Sequence, residues 1–192
     1  MKTAVAALFI LTLSIVGVRA ASTPEEMTVL YFDSFKKGDV DTIVANMHEG
    51  ELGKFQKALI PVIEKNVEQD PTGAGRDAAA IRQLVGKNTI DEIRQETPQA
   101  FFARFLNWMI KLNPSTIKSM AGATMQPLGH IEEEDMAHVT CRVNVVIMGA
   151  TISQLKVMSV KKQSDEWKLM LTGEIEGMAK LMQMNPRMQQ QP

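Results

Sequence analysis

The chain has 192 residues, enough for one domain that buries about 70% of its unfolded surface and too few for two independent cores of ordinary size. Apolar side chains make up 45%, and 21 basic side chains nearly balance 22 acidic ones, a formal net charge of -1. That balance supplies no electrostatic footprint for nucleic acid, and the single cysteine, Cys141, excludes an intramolecular disulfide.

Residues 1–20 have the layout of a secretory signal: Lys2, an apolar run from Ala4 to Leu13 extending to Val18, and Val18-Arg19-Ala20 at the cleavage position. The run falls short of the roughly 20 apolar residues of a spanning helix, so cleavage after Ala20 and a periplasmic or secreted mature chain are expected. Without Lys2 and Arg19 the chain carries 19 basic against 22 acidic side chains and is mildly acidic, near -3. One domain is expected over 21–185, followed by a flexible tail over 186–192.

Thr23-Pro24-Glu25-Glu26 is a helix start, since the threonine hydroxyl can cap a free N–H, proline needs no hydrogen bond at the first position, and Glu26 can reach back. The helix is predicted to run to Lys37 and to stop at Gly38, where a left-handed residue is tolerated. Asp39 then caps a second helix with Val40, Ile43, Val44 and Met47 on one face. Leu52, Phe55, Leu59, Ile60, Ile63 and Val67 predict a third helix, with Pro61 expected to kink or interrupt it. "QDPTGAGRD" is a loop; short helices follow over Ala78 to Val85 and Ile90 to Gln95. Thr97-Pro98 repeats the opening device and starts a helix bearing Phe101, Phe102, Phe105 and Trp108, and Asn113-Pro114 ends it and caps one more, to Met120.

After Gly122 the apolar period changes from helical to alternating. Val139, Cys141, Val143, Val145 and Ile147 share one face, with His138, Thr140, Arg142 and Asn144 on the other. With Thr124 to Ile131 before it, and Ile152 to Val160 and Trp167 to Leu171 after it, about four antiparallel strands are predicted, joined by short turns at "MGAT" and "KKQSDEW". A last helix is expected over Glu174 to Met184. Helices followed by a meander give an α+β fold, N-terminal helices packed on a curved antiparallel sheet.

"TPEEMTVLYFDSFKKGDVDTIVANM" resembles the opening helix, glycine turn and second helix of the nuclear transport factor two-like, or cystatin-like, α+β cone superfamily, and "VMSVKKQSDEWKLML" resembles its closing hairpin. The two segments cover about a quarter of the chain. The resemblance implies a sheet curled around the first helix and a cone-shaped cavity. Members include isomerases, dehydratases and hydrolases as well as binding and assembly modules, so the fold alone does not choose between them.

The expected lining of such a cavity is Tyr31, Phe35, Phe102, Trp108, Val143 and Val145, an apolar set suited to a small molecule or a partner segment. The main expectation is therefore a non-catalytic binding or interaction module. An isomerase- or dehydratase-type enzyme using Tyr31 is the alternative, because ketosteroid isomerase-like members of the superfamily place an oxyanion-stabilising tyrosine on the first helix. Such an enzyme also needs a carboxylate base. Asp33, two residues from Tyr31, lies on a different side of the helix, and Asp39 is occupied as a cap. No catalytic residue is assigned.

No cofactor or metal is expected. His130 and His138 would stand opposite each other across a three-residue loop, with Glu132 beside them as a third donor; a two- or four-residue loop separates them. The fourteen methionines are read as core packing plus a tail, and Cys141 as a small buried hydrophobe. Self-association through the outer sheet face, around Arg142 and Asn144, is a further expectation.

Overall fold

A computed structural model describes residues 21–70, 76–86, 88–147, 149–171 and 177. The predicted signal segment, most of the "QDPTGAGRD" loop, and the expected last helix and tail, apart from Gly177, lie outside them. The fold is α+β, as the change of apolar period predicts.

Helix α1 spans Pro24–Lys37. Thr23 Oγ1 accepts the Glu26 N–H at 3.2 Å, and Gly38, at φ 67°, turns the chain out of the helix while its N–H reaches Phe35 O. Helix α2, Val40–Ala45, starts where Asp39 accepts the Thr42 N–H at 3.1 Å. Helix α3 spans Glu49–Gln69 with Pro61 inside it, which corrects the interruption, though not the kink, that the proline offered as alternatives. Pro61 is exposed, so the carbonyl it leaves without a helical donor can be hydrated. The buried stripe of Leu52, Phe55, Leu59, Val62 and Ile63 holds both halves of the helix on one core.

Helices α4 (Arg76–Val85), α5 (Ile90–Gln95), α6 (Pro98–Leu112) and α7 (Pro114–Met120) complete the helical front. Thr89 and Glu92 form a reciprocal capping box on α5, and Thr97 caps α6. Phe55 of α3 meets Phe101, Phe102 and Phe105 of α6 with ring centroids 6.1, 5.2 and 4.8 Å away. This aromatic cluster welds the two longest helices together.

Strands β1 (Thr124–Glu133), β2 (Met136–Ile147), β3 (Ala150–Gln163) and β4 (Glu166–Leu169) form an antiparallel meander in the order β1-β2-β3-β4. Ser164 and Asp165, at φ 52° and 66°, make the two-residue turn into β4 with the left-handed geometry that follows strand twist. The far side of β4 is closed by the α2–α3 junction, where the His48 N–H donates to Leu169 O and the Leu169 N–H donates to Asn46 O, both at 2.8 Å. A bulge between Pro127 and Gly129 interrupts β1.

Helix α1 touches all four strands and also α2 and α7, so it is the element between the sheet and the rest of the helical layer. Ala137, Val139, Cys141 and Val160 are fully buried on the helix-facing side of the sheet. The opposite side, among the described residues, faces solvent. Replacing Phe55 by alanine removes the ring shared by three partners and is expected to cost about 3–5 kcal/mol, read from the urea midpoint of the mature chain.

Candidate functional site

Two hydrogen bonds fix the direction of α1 on the sheet. At its start, Glu25 Oε1 lies 2.5 Å from His130 Nδ1 of β1; at its end, Lys36 Nζ donates to Ala123 O at 2.7 Å. The helix therefore runs antiparallel to β1, and its C-terminal half lies toward the Thr124 end of that strand. Thr124 pairs with Asn144 of β2, so Tyr31 and Phe35 are carried to the end of the sheet that bears Val143 and Val145. Their two rings are 6.2 Å apart.

Helix α7 is in contact with α1, α6 and β2. Burial changes along the inner face of β2: Ala137, Val139 and Cys141 are sealed, whereas Val143 and Val145 are half-buried. Tyr31 and Phe35 thus lie toward the end of the sheet that carries Val143 and Val145. Phe102 is 1% exposed and packs on Phe55 and on Phe105, whose centroid is 6.3 Å away, and Trp108 adds to the same buried cluster, 5.6 Å from Phe105.

Trp108 is 7% exposed, and its indole Nε1–H is buried with no acceptor. A buried donor left without a partner costs about 1–3 kcal/mol, and native structures rarely tolerate one without a reason. His48 Nδ1, at the α2–α3 junction, is the other such atom among the described residues.

The acidic hairpin between β1 and β2 closes with a two-residue turn, Glu134-Asp135, since Glu133 pairs with Met136. This is one of the separating registers: His130 pairs with Val139 on the inner face and Ile131 with His138 on the outer. His138 Nδ1 is 2.9 Å from Ser159 Oγ, and no group of three metal-ligating side chains forms among the described residues. His130 instead lies between two carboxylates, Glu25 at Nδ1 and Glu132 at 3.3 Å from Nε2. Both ring nitrogens are engaged, which makes the imidazole a clamp between α1 and β1 and leaves it no open position for proton transfer to a ligand. Sequence reasoning missed this pairing because it joins residues 105 positions apart.

The hydrogen bond that the His130 imidazolium donates to Glu25 raises the pKa of His130, and the same bond lowers that of Glu25. Of the remaining candidates, Asp39 is held low by its bonds to Thr42, in keeping with its capping role, and Asp33 is exposed. Cys141 is fully buried, its thiol pointing at Thr28 Oγ1 at 3.8 Å, and desolvation pushes its pKa up. On the outer side of the β1 bulge, a depression of ≈ 190 Å³ is lined by Leu128, Gly129, His130, Ile131 and Thr140.

No helix among the described residues is long and apolar enough to cross a membrane. The architecture and site define an α+β module with an open four-stranded sheet. Compared with protein-family models, curated proteins and solved structures, the chain matches none.

Two outcomes check this description. The raised pKa of His130 makes its stabilising contribution complete below the unfolded value near 6.5 and lost as pH rises through the folded one; the lowered pKa of Glu25 makes its own complete above about 4.5 and lost in acid. The melting-temperature gap between the native chain and His130→Gln is therefore expected to be widest between about pH 4.5 and 6.5 and to shrink above it. Cys141 is expected to resist a maleimide in the folded protein and to react at once in denaturant, with mass spectrometry as the readout.

Proposed function

We propose that the domain over residues 21–185 of the mature chain is an exported, non-catalytic binding module. Its ligand is an apolar small molecule, or an apolar segment of a partner protein, held by Tyr31, Phe35, Trp108, Val143 and Val145. Phe102 braces α6 from the core side. The observation that carries the reading is the Trp108 indole N–H, buried among apolar groups without an acceptor. A ligand with an apolar body and one carbonyl or carboxylate oxygen would satisfy that donor while covering the half-buried valines.

The chemistry around this end supports binding over turnover. Glu25, at the start of α1, is committed to His130, Asp39, past its end, caps α2, and Asp33 is exposed. The resemblance to the cone superfamily is consistent with a cavity at this place, and residues 1–20 carry the proposed export to the periplasm or the outside of the cell. The module's second proposed partner is a further copy of itself across the outer sheet face.

Titrating the mature chain with 2-nonanone, observed on the ligand by NMR, tests the reading. The native chain is expected to bind, and Trp108→Phe, which keeps an aromatic six-membered ring and removes the N–H, to bind about 3–10-fold more weakly, the worth of one hydrogen bond. Failure of the native chain to bind would remove the proposal.

A further inference from the structure

The outer face of the sheet carries apolar side chains that the helical layer does not cover. Ile131 is 68% exposed, Leu155 and Val157 65% each, and Leu128 45%. Clusters of this kind on a soluble domain mark sites of contact. Their placement is specific. Ile131 and Leu128 lie on β1, Leu155 and Val157 on β3, and Thr140 and Arg142 of β2 run between them.

Side chains directly opposite one another across antiparallel strands share a face, so the register defines rows across the sheet. Gly129, Thr140 and Val157 form one row; Glu133, Met136 and Lys161 form another. In the first, β1 has a hollow, since Gly129 lacks a side chain and the bulge beside it opens the ≈ 190 Å³ depression, while β3 has a projecting valine. In the second, β1 has an acid and β3 a base. Hollow and knob, and acid and base, thus sit at equal heights on opposite sides of β2.

We propose that this face receives a second copy of the same chain, packed sheet on sheet about a two-fold axis parallel to β2. Such an axis lays β1 of each copy over β3 of the other at the same height. Val157 then enters the partner's depression at Gly129, and Glu133 meets Lys161 of the other copy, each contact occurring twice. A surface that is complementary to itself across its own middle strand fits an identical partner better than an unrelated one. Both signs of charge are present on the face, with Arg142, Lys161 and Lys168 against Glu133 and Glu166, so it offers no single-sign field to select a highly charged partner.

Three strands about 4.8 Å apart and roughly ten residues long give a footprint of about 500 Å² before side-chain relief is counted, against roughly 600–800 Å² of accessible surface per partner in specific dimers. The face is of the right order for a modest dimer that dissociates on dilution. The inference is independent of the cavity reading, since it concerns the opposite side of the sheet.

Sedimentation velocity on the mature chain across a dilution series decides it. The native chain is expected to dimerise, and Val157→Lys, which puts a charge into the partner's hollow, to weaken the dimer by at least about tenfold. Leu155→Glu, equally exposed, provides a second variant should the first lose its fold by circular dichroism. Ile152→Lys, on the helix-facing side of β3, is expected to leave the dimer unchanged. A native chain monomeric at every concentration would overturn the proposal and leave the face to a different protein. A dimer indifferent to both outer-face variants, or broken equally by Ile152→Lys, would overturn it as well.

Discussion

The structure depends on the fit between one helix and one sheet. Helix α1 lies along the inner face with Met27 and Thr28 buried against a surface that includes Val139, Cys141, Met158 and Val160, and it is pinned at each end by a hydrogen bond to β1 or its approach. Apolar burial supplies the attraction, but it does not set direction. The pins do that. Because the Glu25 carboxylate and the Lys36 ammonium each have a partner at a different end of β1, sliding the helix by a turn would lose both.

From that orientation the rest of the molecule follows. The far helices, welded by Phe55 and the rings of α6, rest on the same core and reach the sheet again through α7 and through the α2–α3 junction against β4. One end of the layer is therefore held by the Glu25–His130 contact, and the other is finished by half-buried valines and two aromatic rings of α1. The two ends of the layer are thus closed by different chemistry, an ion pair at one and apolar groups at the other.

Much of the fold was legible in the sequence because its signals are local. Thr23, Asp39, Thr89 and Thr97 each sit at a helix start, Gly38 sits at a stop, and the alternation through Val139 and Cys141 predicts a half-buried strand. Pro61 misled for the same reason, since a local rule cannot see that a stripe continuing through Val62 and Ile63 outweighs one missing hydrogen bond. The loop length that separates His130 from His138 was left open because turn residues such as Glu-Glu-Asp suit several registers. Helical spacing placed Tyr31 with Phe35, whose rings lie 6.2 Å apart, but nothing in spacing shows that Phe102 and Trp108 both pack on Phe105 in the aromatic core. The outer face had a signal that went unused. In "QLKVMSV" apolar residues occupy both phases of the strand, Leu155 and Val157 in one and Met158 and Val160 in the other, which describes a strand with two apolar sides.

The topology also orders events in time. Each strand of the meander pairs with its sequence neighbour across a tight turn, so the sheet can assemble from contacts that close only short stretches of chain. Helix α1 has no such luxury: the chain between Glu25 and His130 must be synthesised, and the meander at least partly formed, before the amphipathic N-terminal segment finds its cover. Until the meander forms, only the α2-facing side of α1 has a neighbour close in sequence, and its sheet-facing side, with Thr28 opposite Cys141, waits for residues more than a hundred positions on.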